Sequence, residues 1–141
     1  LRDLLPTFLA INGAEIPDAV DGMSLLPLME KEKSPWRKFI DIEHATAYWQ
    51  DNYWCALTDG KIKYIWFFRT GEEQLFDLVR DPGEVNDLSQ NSSSQKQIEF
   101  MRKAMAEHLQ ERGEEWVKDG KLVVRRTSLL HSPNYPANQK K

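Results

Sequence analysis

The sequence has one cysteine, Cys55, among 141 residues. A lone thiol excludes an internal disulfide framework and cannot by itself supply a thiolate metal site. Nor is there an excess of positive charge: 22 acidic residues against 19 basic ones leave a net charge of -3, with both signs mixed along the chain. No basic field draws in a polyanion, so nucleic acid is not an expected partner. Long apolar runs are also missing, since stretches such as Tyr64 to Phe68 fall far short of the roughly 20 residues that a membrane span needs. Histidine is scarce: the 3 present, His44, His108 and His131, open no H-x-x-x-H or H-E-x-x-H pair, so no metal site is expected. The chain begins on a helix pattern, "LRDLLPTFLAING", with no initiator Met, signal peptide or linker ahead of it, which suggests a cut from a longer polypeptide.

At this length, 40% hydrophobic and 29% charged content predict one packed domain. Leu1, Leu4, Leu5, Phe8, Leu9 and Ile11 recur at helical spacing before the stop signal Asn12-Gly13, which predicts a short helix over residues 1 to 12. Its apolar positions surround most of the circumference, as in a helix packed within a larger body. A proline-rich connection follows, with one helical turn expected over Ser24 to Met29.

Then "KFIDIEHA", "YWCALTD" and "KIKYIWFFR" are rich in Ile, Tyr, Trp and Phe, and Asp59-Gly60 marks a tight hairpin. With "EQLFDL", which ends in the turn Asp81-Pro82-Gly83, they predict four antiparallel strands. From Ser94 to about Lys118, Ile98, Met101, Met105, Leu109 and Trp116 predict one long amphipathic helix lying across the sheet. Gly113 interrupts or ends its regular part, "DGKLVVRR" reads as a turn and short strand, and "HSPNYPANQKK" as an extended or disordered tail. The fold class is therefore α+β.

Candidate chemistry is sparse. Cys55 lies inside a strand pattern with no neighbouring cation to lower its pKa, and reads as a buried structural thiol. His108 among Glu107, Gln110 and Glu111 reads as an exposed helix residue, Lys61 and Lys63 as solvent-side charges, and Trp54 and Trp66 as sheet packing. Asp77, Asp81, Glu84, Asn86 and Asp87 lack the spacing of a Ca2+ loop and read as turn chemistry. The sequon Asn91-Ser92-Ser93 is assigned no function. The most promising stretch is "DIEHATAYWQDN", where Glu43 and His44 at a strand end precede a polar and aromatic loop through Tyr48 and Trp49.

Four segments in order resemble the sulfatase family: "RDLLPTFLAINGAEIP", "DGMSLLPLM", "LTDGKIKYIW" and "LFDLVRDPGEVNDLS". The resemblance covers roughly residues 2 to 89 and implies a small C-terminal subdomain attached to a large α/β catalytic domain. It implies the boundaries too: residues 1–36 end the large domain and connect it, 37–128 form the subdomain, and 129–141 are tail. In such enzymes a [CS]-x-P-x-R motif is converted to formylglycine beside a Ca2+. Cys55 sits in "CALTD", and Ser34 is followed directly by Pro35, so neither fits the motif. The resemblance thus implies a fragment with no cofactor, metal or catalysis of its own, belonging to a formylglycine- and Ca2+-dependent parent in the periplasm or outside the cell. Expected partners are the missing catalytic domain and, for the parent, a sulfated small molecule or glycan. Glu43, His44, Tyr48 and Trp49 are then the candidate substrate-pocket residues. The alternative is a stand-alone carbohydrate-binding or structural interaction module using the tryptophan-rich sheet.

Overall fold

A computed structural model describes residues 1–30, 36–44 and 52–125. The chain divides into two compact units, Leu1–Arg37 and Lys38–Lys141.

In the first unit, helix α1 spans Leu4–Ile11 and the single turn α2 spans Leu26–Met29. Gly13, at φ 65, ends α1: its amide donates to Ala10 and that of Ala14 to Leu9, the paired bonds of a left-handed helix stop. The segments "RDLLPT" and "DGMSLL" are tied together by side chains reaching backbone groups. Asp3 Oδ1 accepts from the Met23 amide at 2.9 Å and from Arg37 Nη2 at 2.6 Å, and Thr7 Oγ1 accepts from the Leu25 amide at 2.9 Å. Burial opposes ionisation of Asp3, but the Met23 amide and the Arg37 guanidinium outweigh it and hold the carboxyl below its ordinary value. Gly22 is obligatory by contact, since a Cβ there would lie 2.1 Å from the Arg2 carbonyl oxygen.

The second unit contains the antiparallel sheet β1 (Ile40–His44), β2 (Trp54–Thr58), β3 (Ile62–Trp66) and β4 (Glu73–Asp77), in that order. Gly60, at φ 85, turns β2 into β3 while Asp59 Oδ1 accepts from the Lys61 and Ile62 amides at 2.9 and 2.8 Å. Helix α3, Gln95–Leu109, covers one face with Ile98, Met101, Met105 and Leu109, spaced three and four apart as one helical stripe. Opposite them on the sheet are Cys55, Leu57, Tyr64, Trp66 and Leu75. The other face carries a smaller cluster of Ala56, Ile65 and Phe76.

Two expectations need correction. The long helix ends earlier than Lys118: α3 stops at Leu109, a 3₁₀ turn runs through Arg112, and Gly113 leaves the helix at φ 91. Trp116 therefore follows the helix. It leads into a hairpin of β5 (Val117–Lys118) and β6 (Lys121–Leu122), joined by Asp119 and Gly120 at φ 51 and 71, the positive pair that a two-residue turn favours. Lys63 is not a solvent-side charge either: its side chain is 16% exposed and its Nζ lies 2.7 Å from Glu84. Glu84 reaches it from the turn after β4, a contact invisible in local spacing.

That turn answers for its own composition. Asp77 accepts from the Val79 and Arg80 amides, Asp81 from Asn86, and Asp87 from both Leu75 and Ser89. Asn91 caps the 3₁₀ turn that opens α3.

Candidate functional site

Strand alternation separates the sequence-predicted residues. Glu43 and His44 are consecutive in β1, so they point to opposite faces of the sheet. His44 opposes Trp54 in the register and stacks on it, with ring centroids 5.5 Å apart and planes 15° apart. Its Nδ1 lies 2.8 Å from the Asn52 carbonyl oxygen. A carbonyl can only accept, so Nδ1 carries the hydrogen and donates. Nε2 is then the nitrogen left for another group, and among the described residues nothing engages it. Tyr48 and Trp49 lie outside the described residues.

Glu43 lies on the helix side, in an ion pair with Arg112. The pairing register aligns Glu43, Cys55, Trp66 and Glu73 in one row across the four strands. Three interstrand steps span about 14 Å, and the ten residues from Arg102 to Arg112 rise about 15 Å as helix. Each end of the row thus meets a guanidinium: Arg102 donates to both oxygens of Glu73 at 2.7 and 2.6 Å, and Arg112 takes Glu43. Burial opposes ionisation of Glu73, but Arg102 and the Tyr64 hydroxyl, which donates to Oε1, hold its carboxyl below the ordinary value. Tyr64 is fully buried, and burial followed by the Glu73 charge pushes its own pKa up.

His108 departs from the exposed reading: its side chain is 33% exposed and Nε2 lies 3.8 Å from Asp41. Sequence reasoning also passed over Arg102, Arg112 and Glu73. Strand parity could have placed Glu43, Tyr64 and Glu73 on one face, but only the register aligns them with the helix. A cavity of about 500 Å3 beside α3 is lined by Glu99, Arg102, Lys103, Lys121 and Leu122, among others, and His44 is not part of it.

A family model described as N-sulphoglucosamine sulphohydrolase, C-terminal, matches residues 2–112. This chain belongs to that sulfatase family. It is 37% identical over 123 residues to an arylsulfatase of Clostridium perfringens, covering 87% of this chain and 25% of that protein. Among solved structures, a 2-O GAG sulfatase superposes with a TM-score of 0.70 at 23% identity, over 81% of this chain and 25% of that one. A structure solved with its substrate D-glucosamine-2-N,6-O-disulfate gives 0.69 at 23%, over 77% and 23%. At that identity the superpositions show the fold. The chain spans about a quarter of the length of the arylsulfatase and of these solved chains.

The resemblance implies a formylglycine and a Ca2+ in such enzymes, and the one cysteine of this chain does not fit the first. Cys55 is 3% exposed within β2, and burial, with the Glu43 charge adding to it, pushes its thiol up to about 12. Among the described residues, no three His, Cys, Asp or Glu side chains come together as a metal cluster.

Proposed function

We propose that this chain is the C-terminal subdomain of a sulfuric ester hydrolase, that it holds no nucleophile, and that it lines part of the substrate pocket through His44. The observation that carries the reading is the family match over residues 2–112, in a sequence with no [CS]-x-P-x-R motif. Formylglycine and Ca2+ belong, on this reading, to a large α/β catalytic domain that is the subdomain's partner. The substrate is a sulfate ester of a glycan or an aryl alcohol, and the enzyme works in the periplasm or outside the cell.

His44 is the residue best prepared for a supporting role. The Asn52 carbonyl fixes its tautomer and Trp54 fixes its ring plane, so Nε2 meets a substrate hydroxyl or sulfate oxygen without reorganisation. Glu43 belongs to the support of that strand, and Tyr48 and Trp49 are further candidate pocket residues. The test compares sulfate-ester hydrolysis by this chain and by the complete protein, with a chromogenic aryl sulfate and with sulfated sugars. Activity is expected only in the complete protein, and His44→Ala there should lower kcat/KM about tenfold, the worth of one substrate hydrogen bond. Turnover by the 141-residue chain alone would overturn the non-catalytic assignment. Unchanged kinetics of His44→Ala across all substrates would remove His44 from the pocket.

A further inference from the structure

We propose that Arg112 is a positioning residue for His44, holding the edge strand β1 from the helix side so that the imidazole on the other side keeps its orientation. The proposal rests on the reading of His44 as a substrate-facing group. It starts from how weakly β1 is otherwise held. Among the described residues, β1 pairs only with β2, none of its own residues belongs to either buried cluster, and its Ile40 and Ile42 are 52% and 40% exposed. Apolar packing holds the entry to the strand, where Phe39 lies against the core and 6.4 Å from the Phe100 ring, and contributes little at its far end, where Glu43 and His44 lie. Its helix-side groups are Asp41 and Glu43, met by His108 at 3.8 Å and by Arg112.

Arg112 is itself anchored. Its guanidinium lies 5.1 Å from the centroid of Trp116, whose ring packs 5.0 Å from Phe68, a residue of the main core. Helix termination at Gly113 is what brings Trp116 back beneath the arginine. A continuous set of contacts thus runs from core to Phe68, Trp116, Arg112 and Glu43, and the next residue along the backbone is His44. Because Glu43 and His44 are adjacent, any displacement of one shifts the peptide that carries the other. The stack on Trp54 and the 2.8 Å contact with the Asn52 carbonyl are the geometry at stake. A planar guanidinium that stacks on an indole and donates to a carboxylate suits this post better than a lysine ammonium does.

The test is a double-mutant cycle in the complete protein, read with selective 15N-histidine NMR. Arg112→Ala should lower kcat/KM about tenfold, mostly through KM, as expected for a residue one contact away from a substrate group. In a His44→Ala background the same change should cost nothing further. The His44 ring-nitrogen signals should move in Arg112→Ala and return most of the way in Arg112→Lys. Additive losses with unmoved His44 signals would overturn the proposal and leave Arg112 a stability residue. If Arg112→Ala does not fold, Glu43→Gln removes the same ion pair and is judged by the same readouts. If His44→Ala leaves kcat/KM unchanged, the substrate-facing reading fails separately, and the NMR signals still decide positioning: moved supports it, unmoved overturns it.

Discussion

Glu73→Ala tests the buried end of the sheet-helix clamp. The substitution takes the acceptor from the hydroxyl of Tyr64, which is 0% exposed, and a buried donor without a partner costs about 1–3 kcal/mol. It also removes the bidentate contact with Arg102, whose side chain is 44% exposed, and water screens that pair to about 0.5–1 kcal/mol. The sum is about 1.5–4 kcal/mol. Tyr64→Phe, by contrast, deletes the donor and leaves Glu73 held by Arg102, so the net loss is one hydrogen bond, about 0.5–1.5 kcal/mol. Urea unfolding at neutral pH measures both. The folded carboxyl of Glu73 lies below its ordinary 4.5, so its contribution is fully present above that value and fades as pH falls through the lower folded value. The difference between wild type and Glu73→Ala should shrink accordingly in the acid range. A Tyr64→Phe loss equal to or larger than the Glu73→Ala loss would refute the reasoning, because it would mean that the carboxylate satisfies nothing of consequence.

Gly22→Ala should cost about 2 kcal/mol or more, because its Cβ would lie 2.1 Å from the Arg2 carbonyl oxygen, a backbone atom that cannot step aside. Faster limited proteolysis within residues 1–30 of the variant checks this, and an unchanged cleavage pattern would contradict it. Cys55, 3% exposed and with its thiol pushed up to about 12, should resist iodoacetamide at pH 8 in the native protein and react fully once unfolded. Native alkylation at the rate of a free thiol would show that the β2 position is open.

The turn after β4 shows how local chemistry becomes legible. Asp77, Asp81 and Asp87 read as turn formers in the sequence, and in the structure each accepts from backbone amides a few residues away, with Asp87 also reaching Leu75. The Asp59-Gly60 hairpin and the helical stripe of Ile98, Met101, Met105 and Leu109 were readable for the same reason. The end of the helix was legible in part: Gly113 read as its interruption or end, while Trp116 was still counted in the stripe. Trp116 keeps the apolar spacing, but Gly113 takes φ 91 and sends the chain into a hairpin. The tertiary packing of Trp116 on Phe68 then outweighs the continuation of the stripe.

Sequence alone determined the α+β class, the four strands and the family resemblance, because strand alternation, turn residues and helical spacing act over a few neighbours. It also placed Glu43 and His44 side by side at the end of a strand. Strand alternation already puts them on different faces, since one peptide step reverses the side chain, and only the tertiary structure decided which of those faces the helix covers. The pairing register and the helix crossing decided the rest: Glu43 meets Arg112 at one edge of the sheet, Glu73 meets Arg102 at the other, and Lys63 meets Glu84. Those partners are 69, 29 and 21 residues apart, a separation that no local pattern encodes and that only the folded sheet closes.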